Sequence, residues 1–236
     1  MTTPIVRLSD LRFAWPGHSA LLEISSFELA PKERLFLRGP SGSGKSTLLG
    51  LIAGVLEASD GDVWVMDQNM TQLSGGRRDQ VRADHLGVIF QMFNLVPYLS
   101  VVQNVILPCR FSKQRLQNTQ ANGGPESEAK RLLERLGLED AALQARNVTD
   151  LSVGQQQRVA AARALIGHPS LVIADEPTSA LDTDMRDRFI ELLSEEAART
   201  GAALLFVSHD SRLAPLFDRA IDLTEINLAA SQREAV

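Results

Sequence analysis

The chain has 236 residues, of which 44% are hydrophobic and 22% charged, and a formal net charge of −5. That balance supports one sizeable core with an attached lobe, and argues against nucleic acid as the main partner. The one cysteine, Cys109, excludes a disulfide framework or a cysteine-based zinc site and reads as a small buried or half-buried thiol.

Met1, Thr2, Thr3 and Pro4 carry neither the basic nor the apolar region of a secretory signal. No apolar run approaches the roughly 18 residues of a membrane span. A cytoplasmic chain is expected, one that reaches a membrane only through a partner.

Residues 5–37 read as short apolar runs of period two, broken at Trp15-Pro16-Gly17 and at Pro31. A further run over 62–66 follows the turn dipeptide Asp60-Gly61. These predict antiparallel strands at the edge of a larger core. Residues 34–38 predict a strand that enters a glycine-rich turn, and 45–55 predict a helix. Residues 171–174 and 203–207 are continuous apolar runs, the pattern of parallel strands buried on both faces. Between about 91 and 166 the reading is mostly helical, as at 126–136, with a polar loop over 117–125 separating two helices. The fold class expected is α/β, with an antiparallel β subdomain and an inserted helical subdomain. The boundaries fall at about 1–90 and 167–236 for the core, and 91–166 for the insertion. Beyond Leu223 a frayed end is expected.

Gly39-Pro40-Ser41-Gly42-Ser43-Gly44-Lys45-Ser46 fits the phosphate-binding pattern G-x-x-x-x-G-K-[ST] in full. A phosphate is a multiply charged oxyanion, and backbone N–H groups converge on it only where small residues let the chain wrap closely. The helix that follows adds its N-terminal partial positive charge. In this pattern Lys45 reaches the β/γ oxygens of a nucleotide and the Ser46 hydroxyl takes a place on Mg²⁺. Leu171-Val172-Ile173-Ala174 ends in Asp175 and Glu176, which suit a Mg²⁺-holding carboxylate and a group that polarises the attacking water. His209 follows the next apolar strand, at the strand end where α/β sheets bind ligands; it fits a sensor that orients the water and Glu176.

Leu151-Ser152-Val153-Gly154-Gln155, followed by Gln156-Gln157-Arg158-Val159-Ala160, resembles the signature and signature helix of ABC ATPases. Ser179-Ala180-Leu181-Asp182 looks like the D-loop, Gln91 like the Q-loop glutamine and His209 like the switch histidine. Trp15 sits where the family places an aromatic residue on adenine. The resemblance runs from about residue 5 to 222 and implies a P-loop NTPase core of RecA-like type. It also implies ATP and Mg²⁺ as ligands. Lys45, Glu176, His209 and Gln91 would then be catalytic, and Ser46, Gln91 and Asp175 would meet the metal. Trp15, residues 39–46, Thr47, Ser152, Gly154, Gln155 and Asp182 would contact nucleotide. One departure is Val153, where the family has glycine; Ser152 and Gly154 are kept, so a working signature is expected.

The family solution is a head-to-tail homodimer that sandwiches ATP between the cradle of one copy and the signature of the other. Phe90-Gln91-Met92-Phe93-Asn94-Leu95-Val96-Pro97 is most similar to ATPases of the lipoprotein-releasing and macrolide-exporting group, which work with a separate membrane permease. Phe93, Leu95, Val96 and Tyr98 could line a groove near 91–98 for a permease helix, or could simply pack the helical lobe. A polar amino-acid importer ATPase and a soluble cofactor-assembly ATPase stay open as alternatives. A generic P-loop kinase or GTPase does not account for the signature helix, D-loop or switch histidine. Arg77, Arg78 and Arg82, beside Asp79 and Asp84, read as a solvated face, with anionic lipid as the sharper alternative.

Overall fold

The computed structural model of the protein describes residues 3–178 and 183–229. In chain order the elements are β1 (Val6–Ala14), β2 (Ala20–Leu29), β3 (Arg34–Arg38), α1 (Lys45–Ile52), β4 (Asp60–Val65), β5 (Gln68–Asn69) and α2 (Gly75–His85). Then follow β6 (Leu86–Ile89), α3 (Val101–Ile106), α4 (Pro108–Phe111), α5 (Lys113–Thr119), α6 (Pro125–Arg135), α7 (Ala141–Gln144) and α8 (Val153–Leu165). The chain continues through β7 (Leu171–Asp175), α9 (Thr183–Thr200), β8 (Ala203–Val207), β9 (Arg219–Asp222) and α10 (Leu223–Ile226). Two compact units emerge, residues 1–82 with 203–236, and residues 83–202. In the second unit β6 and β7 pair with each other and β6 packs against α8.

The first unit holds an antiparallel sheet in the order β2-β1-β4-β5. Strand β1 alternates buried Val6, Leu8, Leu11 and Phe13 with exposed Arg7 and Arg12, as a half-buried strand should. Asp60-Gly61, expected as a turn, lies inside β4. There the β1–β4 register shifts between Ser9 and Arg12, and Gly61 at φ 80° stands so close that a Cβ would be 2.2 Å from the Asp10 carbonyl oxygen. The turn residues make a bulge instead.

The same unit contains β3 flanked by β8 and β9, all parallel, with Leu37 opposite both Val207 and Ile221. Phe36, Phe206 and Phe217 form its aromatic core, with centroids 5.1–6.4 Å apart. Such contacts contribute about 0.5–1.5 kcal/mol per pair beyond buried area. Helix α1 stops at Ile52 rather than near 55, since Gly54 turns left-handed and the Val55 and Leu56 amides fold back onto the Gly50 carbonyl. The arginine cluster is not a solvated face throughout. Arg78 pairs with Glu57, and Arg82 pairs with Asp79 and donates to the Ala53 carbonyl at 3.2 Å, which caps the end of α1. Arg77 alone of the three is exposed. The expected frayed end is also ordered as far as Ala229. Asn227 is buried, accepting from the Glu23 amide at 2.8 Å and donating to the Leu21 carbonyl at 3.0 Å.

In the second unit β6 and β7 run parallel, and β7 is buried from Leu171 to Ala174 as its apolar run predicts. Helix α6 starts on Pro125 with Glu126 and Glu128 in its first turn and Arg135 in its last, which complements the helix dipole. The polar stretch expected as a loop is mostly helical. Helix α5 runs to Thr119, a 3₁₀ turn covers Gln120–Asn122, and only Gly123 and Gly124 separate it from α6. Cys109 is buried as expected, and burial pushes its thiol up from the usual value.

Candidate nucleotide-binding and hydrolytic site

In the first unit, β3 ends at Arg38 and the chain passes through residues 39–44 into α1, whose N-cap is Gly44 at φ 100°. Lys45 Nζ reaches back across this loop, donating to the Gly39 carbonyl at 2.8 Å and the Pro40 carbonyl at 2.9 Å. The ammonium is thereby held inside the curve of the loop. The Ser43 hydroxyl oxygen is buried there with no partner among the described residues, a polar atom suited to a ligand oxyanion. The helix start adds amides with no intrahelical acceptor. The residues fit a phosphate chain.

His209 lies at the C-terminal end of β8, the strand beside β3, so the histidine and the phosphate loop leave neighbouring parallel strands at the same end. Its loop is fixed by Ser208, whose hydroxyl accepts from the Asp210 amide at 3.2 Å, and by Asp210, which caps the following 3₁₀ turn. Arg38 pairs with Asp222 at 3.1 Å across β3 and β9. Trp15, just past β1, is 45% exposed and stands edge-on to Phe13 at 5.0 Å, leaving a ring face available for stacking.

The second unit gathers Gln91, Asp175 and Glu176. Gln91 follows β6 and the two carboxylates end β7, at the same end of two paired parallel strands whose register sets Ile89 opposite Ala174. Glu176 has φ 46°. A residue bearing a Cβ adopts that conformation only when its surroundings enforce it, here between a buried strand and the buried Pro177 and Thr178.

Ser152, Gly154 and Gln155 stand at the start of α8. Ser152 is the N-cap, accepting from the Gln155 amide at 3.3 Å, while the Gln155 side chain accepts from the Ser152 amide at 2.9 Å. This reciprocal cap is the role that the structure gives Gln155. Val153 occupies the first helical position, 52% exposed, with no strain from its Cβ because the backbone there is helical. Asp182 and the rest of the expected D-loop, residues 179–182, lie outside the described residues.

The loop after β6 carries the residues expected to meet a partner. Met92 and Tyr98 are 81% and 80% exposed, while Phe93, Leu95 and Val96 are half-buried. Sequence reasoning did not single out Asn104, which is wholly buried on α3. It accepts from the Val96 amide at 2.8 Å and donates to the carbonyls of Val96, Leu99 and Ser100 at 3.0–3.2 Å. Its only sequence signal is the polar residue on the apolar face of the Val101–Ile106 helix.

The ABC transporter family matches residues 22–179. The lipoprotein-releasing system ATP-binding protein LolD of Novosphingobium aromaticivorans is 38% identical over 95% of this chain and 98% of its own length. LolD of Anaeromyxobacter dehalogenans is also 38% identical, over 98% and 95% respectively. The dimeric structure of MJ0796, a bacterial ABC transporter cassette, superposes with a TM-score of 0.82 at 30% identity, covering 92% of this chain and 93% of that one. A second structure of that cassette, in a post-hydrolysis state bound to ADP and phosphate, gives 0.81. With its P-loop α/β fold, the chain belongs to the ABC transporter family, in the class of its ATP-binding, ATP-hydrolysing subunits. No helix among the described residues is long and apolar enough to cross a membrane.

Proposed function

We propose that this chain hydrolyses Mg·ATP to drive a separate membrane permease of the kind served by the lipoprotein-releasing relatives, as a cytoplasmic subunit held peripherally at the inner face of the membrane. The observation that carries the reading is the pairing of the Lys45-bearing loop with His209 on adjacent parallel strands.

In this reading Lys45 and the amides at the start of α1 hold the β/γ-phosphates, with Ser43 and Thr47 beside them. Ser46, Asp175 and Gln91 would hold Mg²⁺, which supplies charge neutralisation at the phosphate oxygens. Glu176 orients the attacking water and takes its proton, and His209 fixes the water's position. Trp15 stacks on adenine. Ser152, Gly154 and the start of α8 meet the γ-phosphate bound to a second copy, so two chains pair head-to-tail, with Asp182 at their contact. Loss of that phosphate on hydrolysis removes contacts made only in the closed pair, and this difference in affinity moves the permease. The exposed Met92 and Tyr98 and the half-buried Phe93, Leu95 and Val96 supply its docking face. Similarity to lipoprotein-releasing proteins over nearly the whole chain favours release or export over import.

The experiment is phosphate release by the purified chain beside Glu176→Gln. Removal of the base should slow turnover at least a hundredfold while ATP binding persists. Undiminished turnover in Glu176→Gln would remove that residue from the mechanism. Absence of ATP binding by the unaltered chain would overturn the whole reading.

A further inference from the structure

Arg163 lies near the C-terminal end of α8, the helix whose other end carries Ser152, Val153 and Gly154. Its guanidinium donates through Nη1 to the Asn94 carbonyl at 2.7 Å and through Nη2 to the Phe93 carbonyl at 2.5 Å. Both acceptors belong to residues in the left-handed region, Phe93 at φ 58° and Asn94 at φ 48°. Two successive residues with a Cβ do not hold that conformation unaided. It turns the Phe93 and Asn94 carbonyls toward one fork of donors. Burial pushes the Arg163 guanidinium down from its usual value, so the neutral carbonyls hold a partly desolvated cation.

Two other contacts join the same places. Gly87 in β6 lies against the last turn of α8 so closely that a Cβ would be 2.1 Å from the Ala164 carbonyl oxygen. Arg115, buried on α5, donates to the Ile166 carbonyl at 3.2 Å and also to the Leu86 carbonyl of β6. The strand leading into the loop is therefore fixed to the end of α8 by backbone contact and a buried arginine. Beyond the strand, Arg163 is the side chain of α8 that continues this attachment into the loop. Asn104 anchors the loop's far side. Met92 and Tyr98, both largely exposed, flank the stretch so held.

We propose that Arg163 is a positioning residue that couples the loop 90–99 to the signature helix, so that load on Met92 and Tyr98 moves α8 as one body with the loop. This rests on the reading of the chain as an ATP-driven subunit whose loop meets a partner. A thirteen-residue helix spans about 20 Å, enough to carry a displacement from the docking loop to Ser152 and Gly154. Lysine would not substitute, because a point charge cannot occupy both carbonyls in the fixed geometry of a guanidinium.

The test is hydrogen–deuterium exchange on the full chain in a Glu176→Gln background, with and without Mg·ATP, comparing Arg163 with Arg163→Lys and Arg163→Met. With Arg163 present, Mg·ATP should slow exchange at 39–47 and change it at both 153–158 and 92–99. Arg163→Met should speed loop exchange at least tenfold and abolish the loop's response, while the response at 39–47 remains. Arg163→Lys should show the same loss, reduced in degree, and decides the matter if the methionine variant does not fold. A loop response unchanged in either folded variant overturns the proposal. So does a loop indifferent to nucleotide in the Arg163 protein although 39–47 responds. No response at 39–47 in the Arg163 protein is a separate result, which removes the underlying reading and this proposal with it.

Discussion

The Arg131 guanidinium of α6 forks the wholly buried Glu128 carboxylate at 3.0 Å on each side and reaches Glu196 of α9 at 2.8 Å. Arg199 adds 3.0 Å to Glu196 and 3.4 Å to Glu128, Arg135 adds 3.2 Å to Glu196, and Asn122 donates to Glu128 at 2.7 Å. His168 Nε2 stands 3.5 Å from Glu128 Oε1. Two buried carboxylates thus face one another across a shared arginine. Removing that arginine leaves their repulsion poorly compensated, so Arg131→Met should lower stability by about 3–5 kcal/mol. Arg199→Met should cost less, since Arg131 keeps both carboxylates. Urea midpoints of the two variants check the order. Burial alone would raise the Glu128 carboxyl from 4.5, but contacts with His168, Arg131 and Asn122 bring it down to about 2. A depressed folded-state value contributes stability that is complete above the unfolded value and is lost as pH falls toward about 2. The urea midpoint should therefore fall between pH 5 and pH 3, and fall less steeply in Glu128→Gln.

That network was not legible in the sequence, for a physical reason. Glu128, Arg131, Arg135 and Glu196 are charged residues on amphipathic helices, and such residues read as solvent-facing until a second helix brings opposite charges against them. The end of helix α5 was read as loop for a similar reason, because the face it buries is Arg115 and Thr119 rather than an apolar stripe. Strand β6 is four residues long and follows directly from α2, too short for periodicity to separate it. In contrast, the loop 39–46 and β7 were legible because each carries its own local cause, small residues before a helix or an apolar run ending in acids. The placement of Gln91 beside Asp175 and Glu176 needed the strand pairing. A single glutamine after a short apolar run carries no such information.

Trp15 offers a direct reading of nucleotide. The chain has two tryptophans, and the other, Trp64, lies under the Arg7 guanidinium at 4.9 Å from its ring centroid. In a Trp64→Phe protein all tryptophan emission comes from Trp15, and ATP should quench or shift it if the half-exposed ring meets adenine. A base stacked on an aromatic side chain is worth about 1–3 kcal/mol. Trp15→Ala should then weaken ATP binding by roughly five- to a hundredfold while kcat at saturation stays within about twofold. An unchanged Kd in Trp15→Ala would place adenine elsewhere.

Gln157 on the signature helix is wholly buried, and among the described residues neither its Oε1 nor its Nε2 has a hydrogen-bond partner. A buried amide left without partners costs about 1–3 kcal/mol, whereas an apolar side chain of similar volume carries no such penalty. Gln157→Leu should therefore raise stability by about 1 kcal/mol, or roughly 2–4 °C in melting temperature for a chain of this size. Gln157→Ala should lower it, because the gain from removing the amide is outweighed by the cavity left in a packed interior. Calorimetry on the two variants separates the contributions. A lower melting temperature in Gln157→Leu would mean that the amide is satisfied by a buried water, which the apolar side chain displaces without replacing its hydrogen bonds.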